Sequence, residues 1–192
     1  MSIEPFLVSL GVVALAELGD KSQLLAFMLA ARFRVVVPII AGIFVAAVGN
    51  HLLAGAVGAW LVSLVGPTGL RWIVGAGFLL IAAWMLVPER EPSTDALPVS
   101  RRGAFTTTVL AFFLAEFGDK TQVSAVALVA HYGAFLPVVA GTTLGMTLAN
   151  VPGVFLGDRL ATRLPLRLVT LLAAAAFALL GILALAGVGA GL

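Results

Sequence analysis

The chain has 192 residues, 61% hydrophobic and only 10% charged, which excludes a water-soluble domain because too few polar residues are available to cover its surface. It contains no Cys, so disulfide frameworks and thiolate sites for soft metals are also excluded. The formal net charge of +2 comes with arginines at the ends of apolar segments, where they face lipid headgroups, and we expect no nucleic acid partner.

From the N-terminus onward, breaks in hydropathy at charges and at Pro or Gly clusters predict an all-α integral membrane protein with six transmembrane helices. The spans fall at about 5–31, 35–64, 69–87, 104–131, 134–157 and 166–187. Between the third and fourth spans, the segment PEREPSTDALPVSRR combines prolines with charges of both signs. We therefore predict a first three-helix unit at 1–87, a cytoplasmic linker loop at 88–103 and a second three-helix unit at 104–192.

An eight-residue segment occurs twice in the chain. AELGDKSQ at Ala16–Gln23 returns as AEFGDKTQ at Ala115–Gln122, with six of the eight positions identical. The same offset of 99 residues aligns further pairs without a gap, namely Pro38 with Pro137, Gly42 with Gly141, Gly58 with Gly157 and Leu61 with Leu160. The halves are therefore repeats. Because each contains an odd number of spans, the sequence predicts two inverted three-helix repeats with a site near the membrane midplane.

The arginines predict how the chain is oriented in the membrane. Under the six-span topology, eight of them fall on one face and only Arg71 falls on the other. Basic loops remain on the cytoplasmic side, so we expect that face to be cytoplasmic and both termini to lie outside the cytoplasm. The eight are Arg32, Arg34, Arg90, Arg101, Arg102, Arg159, Arg163 and Arg167.

Six ionisable residues lie at mid-span depth, where a charge costs roughly 2.5–3.5 kcal/mol on translocon-type scales. They are Glu17, Asp20 and Lys21 in the first span and Glu116, Asp119 and Lys120 in the fourth. On a continuous helix, Glu and Asp three residues apart share a face, as do Glu and Lys four residues apart. The alternative to a site is therefore a pair of intrahelical Glu–Lys salt bridges. Because the charges are duplicated and surrounded by lipid, we favour a site.

An antiparallel pairing of the first and fourth spans would bring four carboxylates together around a pseudo-two-fold axis. Carboxylate oxygens are hard ligands, which magnesium, calcium and manganese prefer. With both lysines charged, the group carries two negative charges, which one divalent cation neutralises. Without the metal the carboxylates repel one another, so protons are the obvious replacement. We predict Glu17, Asp20, Glu116 and Asp119 as ligands of a transported cation, and no prosthetic group.

Other polar residues and two glycines accompany these carboxylates. Gly19 and Gly118 serve either close helix packing or a helix break that exposes carbonyl ligands, and the sequence leaves both open. For His51, which the offset aligns with an asparagine, we favour a hydrogen-bonded polar residue over a metal ligand. Supporting roles are predicted for Lys21, Ser22, Gln23, Lys120, Thr121, Gln122, Asn50, His51 and Asn150.

The segments ELGDKS at Glu17–Ser22 and EFGDKT at Glu116–Thr121 resemble the paired E-x-G-D-[KR]-[TS] signature of a cation/proton exchanger family. That family, formerly an uncharacterised protein family, includes Golgi-type manganese and calcium transporters and bacterial manganese exporters. The resemblance covers essentially the whole chain. It implies exchange of manganese or calcium for protons at the acidic signature residues, in a multi-pass protein of the bacterial inner membrane. The choice of cation, the stoichiometry and the oligomeric state stay open.

Two other functions compete with cation export. An exporter of small organic cations or amino acids requires aromatic side chains near the acidic site, and Phe27, Phe112, Phe113 and Phe117 are close in sequence. An intramembrane lipid pyrophosphatase normally requires an Arg clamp for phosphate, whereas every Arg is predicted near a span end. We therefore predict a transporter rather than an enzyme, exporting manganese or calcium from the cytoplasm in exchange for protons.

Overall fold

The computed structural model describes residues 3–65, 67–87, 103–156 and 166–188, and these residues form α-helices and no strand. The described helices are α1 Glu4–Glu17, α2 Lys21–Phe33, α3 Val37–Leu64, α4 Pro67–Met85, α5 Ala104–Glu116, α6 Lys120–Tyr132, α7 Phe135–Leu156 and α8 Leu166–Leu185. The all-α prediction is thus confirmed for this part of the chain. The predicted linker, apart from Gly103, lies outside the described residues, and with it lie Arg90, Arg101 and Arg102. Arg159 and Arg163 are also outside the described residues.

The surface of the fold is suited to lipid. Among the described helices, those long and apolar enough to cross a bilayer by themselves cover Val37–Leu64, Phe135–Phe155 and Arg167–Leu185. Shorter apolar helices cover Gly69–Met85 and Ala104–Glu116. Large apolar side chains, among them Leu80, Leu114 and Leu136, are exposed on the outside. Such an exterior belongs in a bilayer, so the protein is a membrane protein.

Two of the predicted spans are each built from two shorter helices. The span predicted at 5–31 contains α1 and α2, and the span predicted at 104–131 contains α5 and α6. In the intervening segments Gly19 and Gly118 have positive φ angles of 82° and 78°. Glycine adopts this conformation at little cost, whereas other residues are strained by it. Of the two roles left open for these glycines, the structure therefore shows the helix break.

Close glycine contacts hold each long helix against the first short helix of the other half. A Cβ atom at Gly42 of α3 would lie 3.0 Å from the carbonyl oxygen of Phe105 in α5, so only glycine permits this approach. Gly141 of α7 faces the carbonyl oxygen of Phe6 in α1 in the same way. The 99-residue offset converts one contact into the other. The sequence repeat is thus accompanied by equivalent helix contacts.

The buried apolar side chains form two cores. One core joins α1, α2, α3, α5 and α7 around residues such as Phe112 and Met146, and the other joins α4, α6 and α8 around Phe78 and Phe177. The helix α1 contributes to both, since Val13 belongs to the first core and Val12 to the second, and Val138 of α7 also belongs to the second. The short helix α1, which ends at the first break, is therefore packed on two sides.

Candidate functional site

The four predicted acidic ligands all lie at the two helix breaks. Glu17 and Glu116 are the last residues of α1 and α5, and Asp20 and Asp119 are the N-cap residues of α2 and α6, with extended backbone angles. Asp20 is therefore not on the same helix as Glu17, and the expected sharing of one helix face is wrong. The breaks place each Asp at the positive end of a helix dipole and leave last-turn carbonyl oxygens of α1 and α5 without intrahelical partners.

Three of the four carboxylates converge within the protein. One oxygen each of Glu17, Asp20 and Glu116 lies within 4.8 Å of the others. Glu17 is fully buried, and Glu116 and Asp20 are only 2% and 8% exposed. Two oxygens that bind the same calcium ion at 2.3–2.6 Å are at most about 5 Å apart. The spacing therefore suits a hard divalent cation whose ligands come from both halves of the chain.

The lysines and aspartates form ion pairs between the halves. Lys21 Nζ lies 3.3 Å from Asp119 Oδ1, and Lys120 Nζ lies 3.0 Å from Asp20 Oδ1. Each lysine is the first residue of a new helix, so its side chain extends from the break toward the opposite half. Intrahelical Glu–Lys salt bridges, the alternative considered from the sequence, do not account for these contacts. Asp119, the fourth predicted ligand, is thus held next to the other three carboxylates by its ion pair with Lys21.

Glu17 accepts hydrogen bonds from both halves. The Ser22 hydroxyl donates to Glu17 Oε2 at 2.7 Å, and the Thr121 hydroxyl donates to Glu17 Oε1. The amide nitrogen of Asn150 lies 3.5 Å from the same Oε2. These three supporting residues were predicted from the sequence, and the structure brings them to one carboxylate. Their donors fix the orientation of Glu17 and stabilise its negative charge.

Glu116 occupies the equivalent position but has different surroundings. Neither of its carboxylate oxygens accepts a hydrogen bond from any side chain or backbone group in the described residues. A buried carboxylate without donors is costly, particularly where lipid surrounds the protein. Both oxygens of Glu116 are therefore available to a cation or a proton.

Gln23 and Gln122 stabilise the helix breaks. The N–H of Gly19 donates to Gln23 Oε1 at 3.0 Å, and the N–H of Gly118 donates to Gln122 Oε1 at 2.6 Å. Both side-chain oxygens, for which the sequence predicted a supporting role, thus accept hydrogen bonds from the backbone. The glutamines hold the geometry of the breaks.

Asn50 and His51 lie on α3 and have partners elsewhere. Asn50 Nδ2 donates to the carbonyl oxygen of Phe113 at 3.2 Å, and His51 Nδ1 lies 3.2 Å from Thr143 Oγ1. His51 is therefore placed as a hydrogen-bonded buried residue, as favoured from the sequence. The sequence did not single out Thr143, because the predicted span at 134–157 contains several polar residues and nothing in the pattern separates Thr143 from Thr142 or Thr147.

The phenylalanines near the breaks do not form the aromatic surroundings that an organic-cation site requires. Phe112 is fully buried in the core around α3 and α5, whereas Phe117 is 60% exposed. Phe113 packs against Phe117 with ring centroids 5.8 Å apart. A site for organic cations would surround the charge with ring faces. The placement of Phe112 and Phe117 gives that hypothesis no support.

Comparisons with known proteins show which family the chain resembles. The sequence profile described as divalent cation/proton antiporter GDT1 matches residues 5–93 and 104–190. A protein of Vibrio cholerae serotype O1 named "Putative manganese exporter" is 43% identical over 176 residues, which cover 91% of this chain and 87% of that protein. A GDT1-like protein of Synechocystis sp. is 27% identical over 201 residues, covering 92% of this chain and 94% of the relative.

No solved structure gives a significant match to the chain. The profile, however, covers most of both halves, including the two segments that carry the buried carboxylates. Together with the 43% identity to the Vibrio cholerae relative, this match establishes the family. The chain belongs to the GDT1 family of divalent cation/proton antiporters.

Proposed function

We propose that this protein exports manganese from the cytoplasm in exchange for protons, with calcium as the second candidate cargo. The observation that carries the proposal is the cluster of three buried carboxylates formed by Glu17, Asp20 and Glu116. Their ligand oxygens lie within 4.8 Å of one another. The name of the Vibrio cholerae relative, "Putative manganese exporter", favours manganese over calcium. Membership in an antiporter family favours a transporter over an enzyme and an inorganic cation over an organic one.

The cation binds between the two halves at the helix breaks. Glu17 is already oriented by Ser22 and Thr121, and Glu116 supplies oxygens that no described residue engages. Asp20 is paired with the Lys120 ammonium at 3.0 Å. An arriving divalent cation competes with this ammonium for the Asp20 carboxylate, so the lysine moves aside as the metal binds.

Protons take the place of the cation on the return step. The carboxylates stand within 4.8 Å in a region where lipid and protein replace water, so their mutual repulsion is weakly screened. Either a divalent cation or protons relieve that repulsion. The same carboxylates therefore bind the two substrates alternately, which couples their movements.

The transport cycle uses six crossings arranged as two inverted repeats. In this arrangement α1 with α2, and α5 with α6, each make one broken crossing. The contacts Gly42–Phe105 and Gly141–Phe6 support it, because the 99-residue offset relates them. Rocking of one half against the other exposes the site to each side in turn. The arginine bias favours both termini outside the cytoplasm, in the inner membrane of a bacterium.

Liposomes that contain the purified protein test the proposal. A pH gradient is imposed, and the entry of Mn²⁺ and of Ca²⁺ is followed together with the counterflow of protons. We expect cation flux coupled to protons in the unsubstituted protein and at least a tenfold loss in an Asp20→Asn/Asp119→Asn variant. Competition between the two ions identifies the preferred cargo.

A Glu4→Gln variant is the matched control, because Glu4 is an exposed carboxylate at the start of α1. Its flux should equal that of the unsubstituted protein. Unchanged flux in the double aspartate variant would remove the carboxylate site from the mechanism. If neither ion is transported but the same liposomes take up an amine, and a second amine competes with that uptake, the organic-cation exporter is supported instead.

A further inference from the structure

Gln23 and Gln122 each connect a helix break of one half to the long helix of the other half. Gln23 Nε2 donates to the carbonyl oxygen of Ala149 in α7, and Gln122 Nε2 donates to the carbonyl oxygen of Asn50 in α3. The 99-residue offset relates both the glutamines and their acceptors. We call these contacts the Gln23 clasp and the Gln122 clasp.

The two clasps have different lengths. The nitrogen–oxygen distance is 2.6 Å in the Gln23 clasp and 3.4 Å in the Gln122 clasp. A good N–H···O hydrogen bond falls at roughly 2.7–3.2 Å, so the first is tight and the second is almost broken. No water is available in the hydrocarbon region to replace a stretched bond. The structure therefore holds one clasp closed and the other nearly open.

Helix packing beside the clasps shows the same difference. At the Gln23 clasp, a Cβ on Gly153 of α7 would lie 2.8 Å from the carbonyl oxygen of Gln23, so the helices are in close contact. The offset aligns Gly153 with Ala54 of α3. Ala54 lines a groove of about 590 Å³ between α3 and α6, with Val57, Gln122 and Val123 among its other lining residues. The same two helices meet closely one turn further along α3, because a Cβ on Gly58 would lie 2.6 Å from the carbonyl oxygen of Val126 in α6. The helices therefore separate locally, at the groove beside the Gln122 clasp.

The ion pairs link the two breaks. Asp20, in the break held by the Gln23 clasp, pairs with Lys120 at 3.0 Å. Asp119, in the break held by the Gln122 clasp, pairs with Lys21 at 3.3 Å. Because each pair takes one residue from each break, the pairs do not distinguish the two sides, and the difference between the sides rests on the clasp lengths and the groove.

We propose that Gln23 and Gln122 are positioning residues that fasten the two halves alternately, so that one clasp shortens as the other lengthens. Neither glutamine side chain hydrogen-bonds a cluster carboxylate in the described contacts. The glutamines determine which of the two clasps is closed, and this role rests on the proposed rocking of the halves. Near-identical clasps on the two sides keep the two arrangements close in free energy, as repeated opening requires.

Spin labels test this proposal directly, because the chain has no Cys that would need removal. Nitroxides are attached at Val57→Cys and Val123→Cys, which line the groove and are 50% and 39% exposed. Their separation in liposomes is measured by electron paramagnetic resonance. Gln23→Leu should shorten the label distance, because the groove side closes when the opposite clasp is lost. Gln122→Leu should leave the distance unchanged or lengthen it.

The two substitutions are chemically identical and serve as each other's control. Shifts in the same direction, or no shift in either variant, would overturn the proposal. If a Leu variant fails to fold, Gln23→Met and Gln122→Met give the same comparison with longer side chains. Turnover should fall at least fivefold in both variants. Each substitution also removes the acceptor of a break N–H, at Gly19 or at Gly118, so any loss of Mn²⁺ binding is common to both variants and only the direction of the label shift reports on the clasps.

These measurements separate the clasps from the proposed function. If the two variants shift the label distance in opposite directions but the protein transports neither Mn²⁺ nor Ca²⁺, the clasp proposal stands and cation export is rejected. If the protein transports cations but both variants shift the label distance in the same direction, cation export stands and the clasp proposal is rejected.

Discussion

Glu17 and Glu116 stand at equivalent positions in the two halves, yet hydrogen-bond donors from the described residues reach only Glu17. A fully symmetric site would give both carboxylates the same donors. Instead, the hydroxyl of Thr121 crosses to Glu17 and does not bond to Glu116 on its own half. The two glutamates should therefore respond differently to the same substitution.

Glu116→Gln should leave the free energy of unfolding unchanged or raise it, because the substitution removes a buried carboxylate that has no donor. Glu17→Gln should lower it by roughly 1–3 kcal/mol, because two hydroxyls lose a charged acceptor. Both variants should lose Mn²⁺ transport. Thermal unfolding in detergent and liposome flux measure the two effects. Equal destabilisation by both substitutions would contradict the asymmetry.

Thr121→Val should weaken Mn²⁺ binding about 10–100-fold, since groups that orient a metal ligand typically contribute that much. The change keeps the volume of the side chain and removes the hydroxyl that donates to Glu17. Ser124→Ala is the matched control, because Ser124 is buried one turn further along α6 and its hydroxyl donates to the carbonyl oxygen of Lys120, away from Glu17. Isothermal titration of both variants gives the comparison. Similar affinities in the two would show that the Thr121 hydroxyl is unimportant.

Lys120→Met should destabilise the fold more than Lys21→Met. Removing one partner of a buried ion pair costs roughly 3–5 kcal/mol, and Lys120 is the more buried lysine. Without the competing ammonium, Mn²⁺ should bind more tightly and leave more slowly, so transport falls while affinity rises. Unfolding curves and Mn²⁺ binding are measured on both variants. Adding Asp20→Asn to Lys120→Met should recover part of the lost stability, and failure to recover any would argue against the pair.

Gly118→Ala should cost roughly 1–2 kcal/mol, because Ala at φ of 78° is strained. The same change at Gly19, where φ is 82°, should cost a similar amount. Gly77→Ala is the control, since a Cβ there meets no atom within 4 Å and Gly77 lies within a regular helix. It should be neutral or slightly stabilising. Unfolding free energies decide the matter, and equal values for all three variants would contradict the role of the breaks.

The sequence predicted the carboxylates because charges in lipid are costly and these were duplicated at a fixed offset. It did not decide between packing and a break at Gly19 and Gly118, because glycine serves both purposes. The cross-half pairs of Lys21 and Lys120 were not predicted either. On a continuous helix, adjacent Asp and Lys diverge by about 100°, and only the break lets the lysine start a new helix toward the other half.

The difference between Glu17 and Glu116 was beyond sequence reasoning for another reason. The two repeated segments are almost identical, so any property derived from them is shared by both halves. The structure gives the two glutamates different donors, whereas the repeated segments give no basis for telling them apart. If the halves rock against each other as proposed, a single structure records one of two arrangements, and the equivalence contained in the sequence is broken in it.

The length of α3 has a consequence for the choice of lipid. Its 28 residues rise about 42 Å. The hydrocarbon layer is about 30 Å thick, so α3 must tilt or project beyond it. This helix therefore experiences hydrophobic mismatch. If the two arrangements proposed for the transport cycle differ in the tilt of α3, membranes of different acyl chain length should shift the balance between them, and bilayer thickness becomes a physical control on this transporter.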